Sequence, residues 1–268
     1  MRSFPKPFEH KDFRAKIGAH AMALSHYMNG GPEGWAVLAA IIFLILMTNA
    51  CHEGGHAFAA WCGGDRRADL RRRCTLNPIN HFHWFLTLVL PVGLLLLSQG
   101  QFLAGGARPV MIDRGKLGRV RMALAALAGP VGNFLCAGFL MLLLGLAWSQ
   151  EWFDITQFDQ VSSKAYMILK IPIWFCFFLG LLNLAPVPGL DGGHIFAMLF
   201  LPDWAQRIWY KLTPLGILII LGTMLWYGGF LRKWGLIETM PTFDVIRWIA
   251  DRVEAYTLSA REWWDAVL

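Results

Sequence analysis

The run His52-Glu53-Gly54-Gly55-His56 is where this chain could do chemistry. On a helix, a spacing of four puts both imidazoles on one face, where they can share a metal ion, and the glutamate between them could take a proton from attacking water. Without a metal, the two would be helix-end histidines satisfied by neighbours. Two imidazoles and a carboxylate beside a long apolar run are costly in hydrocarbon unless they line a cavity or bind something, which favours the first reading. A second polar cluster lies far along the chain, in Asn183-Leu184-Ala185-Pro186-Val187-Pro188-Gly189-Leu190-Asp191-Gly192-Gly193-His194. Its two prolines and three glycines should break a helix, and backbone groups freed at membrane depth make sense only where they line a protein cavity. Asp191 could add a carboxylate to the two histidines and leave a fourth position open, or it could be a loop aspartate bonded to glycine amides.

The surroundings are apolar. Of 268 residues, 56% are hydrophobic and only 16% charged, and the mean hydropathy is +0.45. Soluble domains carry about a quarter of charged residues, so a lipid bilayer is an expected partner. The net charge of +6 is concentrated in short clusters beside apolar runs, such as Arg66, Arg67, Arg71, Arg72 and Arg73. That placement fits a membrane surface and argues against nucleic acid as a partner. The five cysteines form no CxxC pair and read as small buried hydrophobes. The first thirty residues contain no apolar core, which argues against a cleaved signal peptide.

The elements that must position these groups follow from the apolar runs. A polar arm over residues 1–34 ends in the turn-forming Asn29-Gly30-Gly31-Pro32, and a first membrane segment at 35–61 has an uninterrupted apolar stretch from Ala36 to Met47. A loop or hairpin at 62–83 leads into 84–104, which contains Pro91 and Gly93; it is read as a bent helix or a re-entrant element, and as a candidate gate. Further crossings are expected at 122–148, 168–190 and 212–230. Residues 35–231 thus form one membrane-embedded core, and 232–268 an interfacial or ordinary surface helix. The fold class expected is an all-α polytopic membrane protein, a bundle of about 4 to 6 transmembrane helices with a broken helix and a re-entrant element at the active site. The basic stretches at 62–73 and 108–121 belong on the cytoplasmic side and the loop carrying Glu151, Asp154 and Asp159 outside. The N-terminal arm is also basic, which conflicts with a single crossing by the first segment.

This combination resembles the site-2 protease family of intramembrane zinc metalloproteases, in its compact prokaryotic branch without a PDZ or CBS domain. The zinc-binding motif of the family is matched by Ala50 to His56 and its aspartate motif by Asn183 to His194; weaker similarities are Thr75 to Pro78 with His81, Ala107 to Val110, and Leu127 to Asn133. The resemblance implies one zinc ion per chain held by His52, His56 and Asp191, with Glu53 as general base. It implies cleavage of a peptide bond in or near a transmembrane helix of a client protein, in the prokaryotic inner membrane with the active site toward the cytoplasm. Asn183 would contact the substrate or the developing oxyanion, and Asn133, with Gly129 and Pro130, would shape the helix facing the site. His194 is a candidate transition-state donor, against the plainer reading of a helix-start histidine. His81 and His83 could supply a proton donor or a regulatory metal site, though interfacial histidines beside Trp84 is the favoured reading. With no appended soluble domain expected, access would be gated by the membrane elements or by a regulatory membrane partner. The rival reading is a membrane metal-handling or transport protein using the same His and Asp residues. It should scatter ionisable groups at several depths, which the 122–148 and 212–230 runs do not.

Overall fold

The computed structural model describes residues 31–97, 105–150, 163–227 and 245–267. The polar arm before residue 31 and the acidic loop around residues 151–162 lie outside them. Helix α1 (Gly31–Gly63) runs unbroken through the apolar stretch and the HExxH, and at 33 residues it is about 50 Å long, more than the hydrocarbon thickness. It ends where Gly64 takes a φ of 119°, with Gly64 N–H donating to Trp61 O and Asp65 N–H to Ala60 O, a Schellman closure. A short α2 (Ala68–Arg73) and a 3-10 turn (Pro78–His81) follow.

The ambiguous segment is a π-helical turn at Trp84–Val89 continuing into α3 (Leu90–Leu97). After residues 98–104, which lie outside the described set, Gly106 N–H donates to Leu86 O at 2.9 Å and Gly106 O accepts from Thr87 Oγ1. The chain therefore returns to the end from which it left. Residues 105–113 then run without regular secondary structure into α4 (Arg114–Ser149), capped by Asp113 Oδ1 accepting from Gly115 N–H. Gly118, at φ 70°, interrupts its second turn.

Helix α4 is the axis of the molecule. Its buried stripe of Ala123, Ala126, Pro130, Asn133, Ala137, Leu140 and Leu144 recurs at three and four residues, the spacing of one helical face. Against it lie α1, α5 (Ser163–Asn183), α6 (Asp191–Phe200) and α9 (Val245–Val267). The break between α5 and α6 falls at the prolines, as the sequence predicts, and α6 restarts at Asp191. Helices α7 (Asp203–Lys211) and α8 (Thr213–Tyr227) complete the described order. The described residues contain no strand, so the chain is all-helical there.

Among the described residues one helix, Arg114–Ser149, is long and apolar enough to cross a membrane, with Trp84–Gly93 and Lys170–Asn183 as shorter apolar helices. The C-terminal helix spans 245–267 and packs one face on α4: Val253, Thr257 and Ala260 are buried, Ala260 meets Gly145, and Trp264 Nε1 donates to Leu142 O. Its many charges hide that narrow buried stripe from a composition reading.

Candidate active site

Helices α1 and α4 approach with almost nothing between them. A Cβ on Gly55 would overlap the Ala128 carbonyl, one on Gly132 the Cys51 carbonyl, and one on Gly129 the imidazoles of His56 and His52. Small residues at these positions let the two backbones touch, so the histidines pack edge-on against α4. On the other side, the tight 184–190 turn folds back on Gly192 and Gly193, where a side chain would strike the Leu184 and Val187 carbonyls. That packing sets Asp191 at the first turn of α6, facing α1.

His52 Nε2 lies 3.2 Å from His56 Nε2 and 3.2 Å from Asp191 Oδ2, and His56 Nε2 lies 3.3 Å from Asp191 Oδ1. Both imidazoles are buried and Asp191 is nearly so. These separations test the site for a metal. A tetrahedral zinc centre with bonds of about 2.0–2.1 Å has ligand-to-ligand edges of about 3.3–3.4 Å. The two imidazole nitrogens stand close to such an edge, each has one oxygen of the Asp191 carboxylate at a similar distance, and Asp191 Oδ2 is a buried acceptor with no hydrogen-bond donor. They are the one group of three or more metal-capable side chains among the described residues. The site fits a zinc ion.

The far nitrogens are also held. His56 Nδ1 donates to Ala125 O at 2.8 Å, one turn before Pro130 interrupts the helical ladder, which leaves Nε2 with its lone pair toward the site. Asn133 is fully buried with its amide 3.0 Å from His52 Nδ1. With His52 Nε2 turned to a metal, Nδ1 carries the proton, and the acceptor for it is Asn133 Oδ1, a buried atom otherwise without a partner; a half-turn of the amide exchanges its O and N. Asn133 thus orients a histidine, and its burial removes it from direct substrate contact. Glu53, partly exposed beside the pair, accepts Val110 N–H at Oε2, 2.9 Å away.

The remaining candidates are placed less centrally. His194 sits one turn beyond Asp191 with its ring 5.3 Å from that of Tyr210, partly exposed and in reach of the site's edge. Asn183 Nδ2 donates to Leu179 O within its own helix, at the start of the break. His81 is buried, not interfacial: its Nε2 donates to Thr75 O at 2.9 Å and its Nδ1 has no partner. His83 Nδ1 accepts from Leu86 N–H and so caps the π turn. Neither joins a metal-capable group among the described residues. Sequence reasoning did not reach Ala125 O or Val110 N–H, since a backbone group carries no residue type; the Gly129 and Gly132 spacing was the available sign of the helix contact.

Comparison with known proteins agrees with this chemistry. Over 221 residues, 80% of this chain and 75% of the relative, the sequence is 32% identical to "Putative zinc metalloprotease Rip2" of Mycolicibacterium smegmatis. Over 171 residues, 62% of this chain and 72% of the relative, it is 33% identical to "Putative zinc metalloprotease YwhC" of Bacillus subtilis. The protein of the first name from Mycobacterium tuberculosis is 34% identical over 166 residues, 60% of this chain and 58% of its own. No family model matches the chain, and no solved structure does.

Proposed function

Because the chain belongs to the site-2 protease family of zinc metalloproteases and is a zinc-dependent protease, we propose that it is an intramembrane endopeptidase. Its substrate is a peptide bond in or near a transmembrane helix of a client membrane protein. The observation that carries this reading is the convergence of the His52 and His56 Nε2 atoms with the Asp191 carboxylate, beside Glu53 and toward the end of a long apolar helix.

His52, His56 and Asp191 hold the zinc in this reading. When bound, zinc acts as a Lewis acid that polarises the scissile carbonyl and makes water nucleophilic at neutral pH. Glu53 is the general base: its Oε2 is fixed by Val110 N–H, so the second oxygen is left to take the proton and hand it to the leaving amine. Ala125 and Asn133 keep the two imidazoles in the ligating tautomer. His194, at the edge of the site, is the side chain available to donate to the developing oxyanion. Asn183, whose Nδ2 donates to Leu179 O at the start of the helix break, would contact the substrate by giving up that bond.

A client helix has its carbonyls bonded internally, so it must unwind locally before attack. The hydrogen bond from Gly106 N–H to Leu86 O supports the reading of the segment that begins at Trp84 as a re-entrant element and part of the gate. The protein is then a polytopic inner-membrane protein of about four to six spans, its active site toward the cytoplasm where the arginine clusters lie. The transport alternative has no support among the described residues, which hold no second metal-capable group at another depth. The test is a membrane-proteome comparison between cells carrying the wild type and Glu53→Gln: the reading requires at least one single-span protein to accumulate uncleaved in the variant, and identical processing in both would refute it.

A further inference from the structure

Residues 105–113 form an extended strap across the catalytic end of α1. Its far part is pinned by Gly106 N–H to Leu86 O, by Arg108 N–H to His81 O at 2.7 Å, and by Arg73, which donates to Arg108 O. Its middle gives Val110 N–H to Glu53. Its near part is held by a different group. Asp65 Oδ2 accepts Asp113 N–H at 3.0 Å, and Asp65 also takes Arg67 Nε at 2.9 Å and Nη2 at 2.7 Å. The same Arg67 Nη2 donates to Met111 O at 2.6 Å. The Asp65 side chain is wholly buried, while its partner Arg67 is about one-third exposed and Lys116 Nζ stands 3.8 Å off.

Burying a carboxylate so completely costs several kcal/mol unless it is paired and hydrogen-bonded. A surface turn after a helix does not require such a group. What this one does is tie the turn at the end of α1 to strap residues on both sides of Ile112. Because Asp65 is locked to α1 through the Schellman closure and Glu53 lies on the same helix, one rigid element grips the strap at two places.

We propose that Asp65, acting with Arg67 through the backbone of 111–113, is a positioning residue for Glu53. It sets the register in which Val110 N–H meets one oxygen of the catalytic carboxylate. This inference rests on the reading of Glu53 as general base. Without Asp65 the strap keeps its far pins but loses its near ones, Val110 N–H drifts from Glu53, and the carboxylate samples orientations from which it cannot take the proton. A misplacement of about 1 Å at a reacting group lowers rates by as much as about 100-fold.

The test uses the full chain, zinc-loaded and reconstituted in lipid, and begins with a readout independent of activity. Hydrogen exchange at the Val110 and Asp113 amides is expected to quicken at least about tenfold in Asp65→Ala, at Val110 alone in Glu53→Ala, and at neither in Asp69→Asn, whose exposed carboxylate only grazes Arg67. Unchanged exchange at Val110 in Asp65→Ala would overturn the proposal. Cleavage of a synthetic single-span peptide should then show kcat down about 10- to 100-fold in Asp65→Ala, with KM within about twofold and zinc still at about one per chain. Asp65→Asn, which keeps an acceptor for Asp113 N–H, should recover part of the loss and serves if the alanine variant does not fold. An unaltered kcat, or a loss of zinc in step with kcat, would overturn the positioning role. Failure of the wild type to cleave would count against the protease reading and leave the exchange result to decide the strap.

Discussion

Asn133→Ala is the change that probes the site without touching a ligand. Asn133 is fully buried on α4 and its amide is the partner of His52 Nδ1. Truncation leaves a buried N–H with no acceptor, a penalty of about 1–3 kcal/mol when the imidazole is held with Nε2 toward zinc. The same step expressed through metal affinity is about 10- to 100-fold, the loss usual when the partner of a metal-bound histidine is removed, and about 1.4–2.8 kcal/mol. The two routes agree because both describe the energy needed to keep one tautomer in one orientation. The assay is zinc competition against a chelator of known affinity, on purified Asn133→Ala and wild type in the same detergent. Asn133→Asp, which presents an acceptor at the same place, should bind within about tenfold of the wild type. Zinc affinity within about twofold of wild type in Asn133→Ala would refute the reasoning, since Nδ1 would then need no acceptor.

Other perturbations follow from single contacts. Gly129→Ala drives a methyl into the His56 ring and should lower zinc occupancy and cleavage together, whereas Gly138→Ala on the same helix meets nothing and should change neither, as metal analysis of the two would report. The Arg67 guanidinium holds the Asp65 carboxyl at about 2, below its usual 3.8. A depressed carboxylate contributes stability that is present above pH 4 and lost as pH falls through about 2, here roughly 2 kcal/mol at most and less for the screening of the part-exposed Arg67. An acid-unfolding series should therefore lose a component between pH 4 and 2 that is missing in Asp65→Asn. Arg119 and Arg114 both reach Asp203 Oδ1 at the surface, and Arg119→Ala should leave the melting midpoint almost unmoved because solvent screens that pair.

The metal-capable group was legible in the sequence because polar residues stand out in an apolar chain. His52, Glu53 and His56 interrupt an apolar helix, and Asp191 follows a run of prolines and glycines that no membrane helix would carry idly. Their meeting, and the helix start at Asp191, are facts of the fold; the prolines and glycines showed only the break before it. The supporting shell was not legible for three different physical reasons. Ala125 O and Val110 N–H act through the backbone, so their residue types are silent. Asp65 sits in an arginine-rich turn where a carboxylate reads as surface charge, and only its burial reveals the tie to Asp113. In α9, Arg252, Arg261, Glu262 and Asp265 outweigh the stripe of Val253, Thr257 and Ala260 that packs on α4. His81 misled in the opposite sense, since an aromatic-rich neighbourhood suggested an interface where the chain instead folds the ring inward onto Thr75.

The central claim, that Glu53 acts as the base of a zinc protease whose metal rests on His52, His56 and Asp191, is tested most directly by cleavage of a reconstituted single-span peptide by zinc-loaded Glu53→Gln. About one zinc per chain is expected in wild type and variant alike, with cleavage slowed at least about 100-fold in the variant. Cleavage at the wild-type rate by the zinc-loaded variant would contradict it.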